Sequence, residues 1–591
     1  MSFRGLPGLH VALCAAALAV ALPAAAQDSG AGLGGPDGVP LLSAAETRVV
    51  SSVGLRTTGS TGDAARDASI LAEARRRLGL RPGDRLTQSA LDTAQLRLGA
   101  LAGVASVETR LDAIANEPSH AQVEVTLSLA PADAFEGPTG MLAGGGRAAF
   151  PILWQDQNSL LRFHLNGGIG IYSDGNAWFG RPEVFTLGNP LVEDPATGAQ
   201  TGSRASWAEA FVEFGLSGVT QLGDSNFALY GATTAIAPLA VGQDIFRGDT
   251  RSSIDVEKAY AGLLWGTDDR RRSVNLSFGR QNFTLNDGFL VSQFGSQWNA
   301  GPRPAVYLAP RTAHDFAAIG TVKYDDWTAT AFYLDPNEYE PLESDTVLAG
   351  GNLRYAFTDR FWVDASLIRV LESKTRYAAP GGAVGTREGL TTLAAHLRWA
   401  DPEVAPGVWV EGEIAHQRHD DFDMDAWGGY ASFGYIARDL PWSPSLSYRY
   451  AARSGDDPDT ATYERFDPLY AGGLSEWLEG VSISKALNPA NRATHRLRLN
   501  LAPDPRLNLT FDWHLHRALE LNNLGANPAL ATLSSHDLGQ EFSFTARYAL
   551  SENIFLLGIA SVGRPGRAIR DATPGPDEPW TTLQTHLFWT F

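Results

Sequence analysis

Trp580-Thr-Thr-Leu-Gln-Thr-His-Leu-Phe-Trp-Thr-Phe591, the end of this 591-residue chain, alternates in character residue by residue. Leu583, Leu587, Trp589 and Phe591 fall on one parity. Thr582, Gln584, His586 and Thr590 fall on the other, where Phe588 is the one apolar residue. A period of two marks a strand with one apolar face. Such a strand closes either a soluble sandwich or a membrane barrel. The start of the chain and the number of similar strands before this one decide between them.

The chain begins with basic Arg4, an apolar run from Val11 to Leu22, and Ala24-Ala-Ala26 ahead of Gln27. Residues 1–26 therefore read as a secretory signal peptide. The single cysteine, Cys14, lies inside it, behind a Leu13 too bulky for lipoprotein processing. The mature chain then has no disulfide and no thiolate metal site. About 565 residues remain, too many for one ordinary soluble domain. They hold no second apolar run near the ~18 residues of a transmembrane helix. Only helices and closed barrels satisfy their backbone groups in lipid, so a membrane reading is a barrel. The 61 Gly, 15 Trp, 27 Phe and 16 Tyr against 3 Met suit that reading. The net charge of −19 argues against a nucleic-acid partner, and the acids are expected in exposed loops.

Residues 27–43 are rich in Gly, Pro and Asp and read as a flexible linker. A small α/β module follows over 44–135. Arg48–Thr58 suits a strand, and Asp67–Leu78 places Ile70, Leu71, Ala74 and Leu78 on one helical face. Thr87 caps a second helix carrying Leu91, Ala94, Leu98 and Leu101. Val104–Leu111 and Gln122–Leu129 alternate as strands, giving the order β-α-α-β-β.

Residues 140–591 form the barrel. Arg496, Arg498 and Asn500 oppose Leu497, Leu499 and Leu501. Asp512, His514 and His516 oppose Phe511, Trp513 and Leu515. Short turns near 325–326, 358–360, 502–505 and 551–553 alternate with long loops near 173–205, 283–314, 371–389, 453–491, 518–537 and 564–579. That alternation belongs to outer-membrane barrels, and the count comes to about 18 antiparallel strands with both ends periplasmic.

The closing strand with its terminal Phe591 resembles that of bacterial outer-membrane barrels, where the last aromatic serves as a signal to the barrel assembly machinery. The module, with Leu78-Gly-Leu-Arg-Pro-Gly-Asp-Arg-Leu86 and Leu98-Gly-Ala-Leu-Ala-Gly-Val-Ala-Ser-Val107, resembles a POTRA domain. That resemblance implies a periplasmic docking unit whose free strand edge adds a protein partner's strand. The alternative is a plug or spacer. Two barrel stretches look like the alginate-export porin family. One runs Glu257-Lys-Ala-Tyr-Ala-Gly262, Leu276-Ser-Phe-Gly-Arg-Gln281, Asn286-Asp-Gly-Phe-Leu290 and Trp298. The other is Tyr448-Arg-Tyr-Ala-Ala-Arg-Ser-Gly-Asp-Asp-Pro-Asp459 with Phe466-Asp-Pro-Leu-Tyr470. Its motif residues here are Gly279, Arg280, Gln281, Gly455, Asp456, Asp457 and Phe466. The resemblance implies an outer-membrane channel of a Gram-negative bacterium, seated in lipid, whose basic lumen passes an anionic solute or an alginate-like polysaccharide. The N-terminal module is a departure from that family.

Parity puts Arg162, His164, Arg354, His396, Arg398, Arg449, Arg496, Arg498, His514 and Arg547 on the lumen side. Arginine suits anion selection because its planar fork pairs carboxylates and keeps its charge. The alternative is that these arginines pair with inward acids such as Glu209, Glu213, Glu411, Glu413 and Asp512. Arg280 sits on the apolar parity at a strand end, where it anchors a loop. Loop 283–314, with Phe289, Phe294, Trp298 and Tyr307, folds either into the pore or onto its rim. The acidic stretches 420–425 and 455–459 lack EF-hand spacing and read as solvated charge, and His416 to His419 as a loop edge. No phosphate loop, nucleophile elbow or zinc-protease motif occurs, so no catalytic site, cofactor or metal is expected. The competing functions are a structural or adhesive barrel with a plugged lumen, and a POTRA-barrel translocase or insertase. That family has a 16-stranded barrel and a late Arg-Gly-Phe/Tyr motif, to which Phe246-Arg-Gly-Asp249 corresponds poorly.

Overall fold

The computed structural model describes residues 38–40, 49–131, 139–143 and 150–591, apart from 115–116 and short stretches at 201–202, 224, 268–270, 293–300, 402, 472–475, 552 and 576–577. The signal peptide, most of the linker, Phe294 and Trp298 lie outside the described residues.

In the N-terminal module, β1 (Gly38–Pro40), β2 (Val49–Gly59), β3 (Val104–Ile114) and β4 (Glu117–Leu129) form a sheet in the order β1-β3-β4-β2, with β2 and β4 parallel. Helices α1 (Ala64–Arg77) and α2 (Gln88–Gly99) cover it. Each starts where a side chain takes up free N–H groups. Asp63 accepts from Ala65 and Arg66, and Thr87 from Ala90. Leu91, Ala94 and Leu98 pack with Val123, Val125 and Leu127, the faces that the 3.6- and two-residue periods define. Gly38–Pro40, inside the expected linker, pairs with β3.

A short β5 (Ile152–Gln155) leads into the barrel: β6 (Ser159–Gly175), β7 (Arg204–Gln221), β8 (Phe227–Gln243), with β9 (Arg251–Ser252) in the next loop, then β10 (Asp255–Gly266), β11 (Arg272–Arg280), β12 (Phe316–Tyr324), β13 (Trp327–Asp335), β14 (Val347–Thr358) and β15 (Phe361–Glu372). Hairpin β16 (Arg376–Ala379) and β17 (Gly382–Thr386) decorates the following loop. The wall continues with β18 (Leu390–Trp399), β19 (Val408–His419), β20 (Ala426–Ile436), β21 (Ser445–Arg453), β22 (Arg492–Asp504), β23 (Leu507–Ala518), β24 (Asp537–Ser551), β25 (Ile554–Pro565) and β26 (Trp580–Thr590). Setting aside β5, β9 and the hairpin, 18 antiparallel strands remain, and β26 pairs with β6 to close the ring. The even count puts both ends on the short-turn side.

Burial along the wall runs opposite to that of a soluble protein. Leu583, Ile414, Phe433 and Leu393 are 56–64 % exposed, whereas Glu209, Glu541 and Arg398 are 0–1 % exposed. Apolar residues face outward and ionisable ones inward, as a lipid-embedded barrel requires. The acids are thus not confined to exposed loops, as composition suggested. Many line the lumen, because there they find donors.

The seam needs glycine. Trp589 lies opposite Gly167 and Phe588 opposite Gly168. A Cβ on Gly167 would fall 2.2 Å from the Trp589 ring. Beyond the strand, Phe591 exchanges backbone hydrogen bonds with Leu165, at 3.1 and 3.2 Å, and its ring lies 5.8 Å from that of Phe150.

Candidate functional site: a narrowed lumen

The module docks on the inner wall at the periplasmic end. Helix α2 is buried nearly all round, the mark of a helix held between two surfaces. Leu91, Ala94 and Leu98 face its own sheet, while Asp92, Gln95 and Leu96 face the barrel. Leu96 packs among Leu160, Val219, Ala228 and Tyr230, four wall residues on the inward parity. A lumen-facing apolar patch is out of place unless something dry covers it. Around it, Arg162 Nε donates to Asp92 at 3.0 Å and Arg162 Nη2 to Gln95 at 2.9 Å. Ser217 donates to the other Asp92 oxygen at 3.2 Å and bonds His164 at 2.7 Å. Across the mouth, Lys323 pairs with Asp84 at 2.5 Å, Arg81 donates to the Asp325 carbonyl, and Arg354 to the Gly83 carbonyl.

From the opposite end, loops fold inward. Arg280 anchors the first of them, pairing with Asp315 and donating to the Glu257 carbonyl at 3.2 Å. Gly279 before it has φ +122°, and a Cβ there would meet the Ala259 carbonyl at 2.3 Å. Gln281 donates to the Ala317 carbonyl at 3.0 Å. The loop then descends. Phe289 is fully buried against Tyr430, Phe466 and Trp477, and Asn286 donates to Asp364 at 2.9 Å. Tyr307 of the same loop packs with Tyr172 and Trp207, and the backbones of Tyr307 and Leu308 donate to Glu209. The described parts of loop 283–314 therefore lie inside the pore, not on its rim. The two family-like stretches meet there: Ser292 donates to the Tyr470 carbonyl, and Tyr470 to that of Leu290. Asp456 accepts from Glu464 and Asn522, Asp457 from Asp459, and Gly455 leaves room for Asn491. Both motifs build the inward loops.

The predicted lumen residues divide. Arg162 and Arg354 hold the module. Arg398 pairs with Glu411 at 3.0 Å, and His396 bridges Asp364 and Glu411. Arg498 clasps Asp512 with two bonds of 2.7 and 2.9 Å. Arg547 lies over the Phe555 ring. Glu213 pairs with Lys258. Arg449 and Arg496 are different. They face each other across β21 and β22, and Arg453 faces Arg492 four residues further along, so four guanidiniums form two like-charged cross-strand pairs. Directly opposed like charges are destabilising. Glu479, from the loop between these strands, enters among them: 2.7 Å from Arg492, 3.5 Å from Arg453 and 4.0 Å from Arg449. Burial opposes its ionisation, but the three guanidiniums prevail and hold its carboxyl below the usual range. Trp477 lies beneath Arg449 and Arg453.

Arg453 and Arg492 were not among the predicted residues, although each shares the parity of a named arginine four positions away. The α2 contacts Asp92, Gln95 and Leu96, and Glu479 on its loop, left no periodic signal.

Residues 401–578 match the alginate export family. The match spans β19 to β25 and includes Arg449, Arg453, Arg492, Arg496 and Glu479. No curated protein matches the chain. Among solved structures, Pseudomonas aeruginosa OccK5 (OpdH) is similar at 11 % identity over 73 % of this chain and 98 % of its own, with a TM-score of 0.43. P. aeruginosa OpdQ gives 12 %, 73 %, 97 % and 0.44, and Acinetobacter baumannii OccAB2 gives 12 %, 73 %, 98 % and 0.44. The closed 18-stranded barrel, with a segment similar to the alginate export family, is an outer-membrane channel.

Proposed function

We propose that this channel passes an anionic solute or an acidic, alginate-like polysaccharide, and that its N-terminal module closes the periplasmic mouth. The observation that carries the anion reading is the two pairs of opposed arginines, Arg449–Arg496 and Arg453–Arg492. They sit inside a lumen already narrowed by loops, where a carboxylate-bearing chain would relieve their repulsion. Selection would then rest on charge and width. The module's sheet ends in β2, whose edge from Val53 to Gly59 would take a periplasmic protein's strand. Such a partner would draw the module off the wall.

The count of 18 strands favours the channel over a 16-stranded translocase. The Arg247 and Asp249 of the poor motif match are tied into a loop ion pair at 2.7 Å. Reversal potentials of the full chain in planar bilayers test the proposal. Anion preference and block by uronate oligomers are expected. Cation preference without block would overturn it.

A further inference from the structure

We infer that Glu479 is a tethered stand-in for the carboxylate of the transported anion, occupying the arginine site until a solute carboxylate displaces it. The inference rests on the anion-channel reading and names the residue with which the solute competes. Glu479 is 2 % exposed and has φ +60°, a left-handed conformation unusual for a non-glycine residue, followed by Gly480 at φ +141°. Backbone in that region persists only where its surroundings hold it. The loop is pinned on either side, by Trp477 Nε1 donating to the Asp287 carbonyl and by the Val481, Ser482 and Ile483 N–H groups donating to Glu541. The Glu479 side chain itself is held by Arg492 and Thr494, which donate to one carboxylate oxygen at 2.7 and 3.2 Å, with Arg453 at 3.5 Å.

The site has more donors than Glu479 uses. None of the three guanidinium nitrogens of fully buried Arg453 has a hydrogen-bond partner among the described residues, nor do Nε and Nη1 of Arg492. Buried donors left unmade are costly, so the cluster is built for more acceptor oxygens than one glutamate brings. Contrast Arg498, whose partner Asp512 is fixed on the neighbouring strand and satisfies it with two bonds. Glu479 sits on a loop rather than on a wall strand, so a swing of its side chain alone, with the pinned backbone in place, would free the arginines. A solute carboxylate that replaces it keeps the charge balance, and the returning Glu479 helps expel it. Conduction needs that kind of weak net binding.

Calorimetric titration of a four-residue uronate oligomer into the detergent-solubilised full chain tests this without requiring an open pore. Removing the competitor with Glu479→Gln is expected to tighten binding at least tenfold, and Glu479→Asp, with shorter reach, to fall between. Equal or weaker binding to the Gln variant would overturn the inference and leave the anion reading standing. No binding to the wild-type chain or to either variant would sink both. If Glu479→Gln does not give a folded, heat-modifiable barrel, the Asp variant decides, and binding no tighter than wild type counts against the inference.

Discussion

Replacing Asp84 and Asp92 together by asparagine should loosen the module without touching the barrel wall. The Asp92 side chain is 2 % exposed and meets Arg162, itself 15 % exposed, at 3.0 Å. A buried, charge-assisted bond of this kind contributes about 2 kcal/mol. The Lys323–Asp84 pair, 18 % and 10 % exposed, is closer to the surface and contributes about 1 kcal/mol. They tie the module to different strands, β6 and β12, so their losses should add. About 3 kcal/mol lowers the ratio of docked to released module roughly a hundredfold. The apolar seat of Leu96 remains, so docking weakens rather than vanishes. In planar bilayers the double variant should show long openings where the wild-type chain shows rare ones, and high salt should narrow the difference by screening the wild-type pairs. Equal open probabilities in variant and wild type, with the variant still heat-modifiable on gels, would refute the idea that the module controls passage.

Three further outcomes are expected. Burial, reinforced by the Glu411 charge, pushes Asp287 of the inward loop up to about 7. In a released loop it would ionise near ~4, so the docked loop binds the extra proton between these values and its hold weakens as pH rises through that window. Hydrogen exchange at Phe289–Ser292 should be faster at pH 8 than at pH 5, beyond the intrinsic change, and Asp287→Asn should abolish the difference; a variant that kept it would exclude Asp287 as the cause. Gly167→Val should weaken the β6–β26 seam by about 2 kcal/mol through overpacking against Trp589, read as a lower urea midpoint in detergent. Deleting Phe591 removes two backbone bonds and the Phe150 contact, and should reduce the heat-modifiable barrel recovered from outer membranes. Unchanged yield would count against its role as an assembly signal.

The alternation of Leu583 with Gln584, or of Leu497 with Arg498, by itself determined which side chains meet lipid and which the lumen, since period-two geometry is local. Thr87 marked the start of α2, and the spacing of turns and long loops gave the strand count and the sidedness of the ends. These are properties of neighbours in the chain. What parity could not say was whether an inward arginine stands free or is matched. Arg398 and Arg498 are matched from adjacent strands, Arg162 from a helix seventy residues upstream, and the Arg449–Arg492 group by a glutamate on a loop. Leu160, Val219 and Tyr230 break the polar face of their strands and look like noise until Leu96 is seen against them. Only tertiary structure decided these points. A strand's face follows from backbone geometry two residues at a time, whereas the contents of a closed ring depend on where loops and a separate module come to rest in three dimensions.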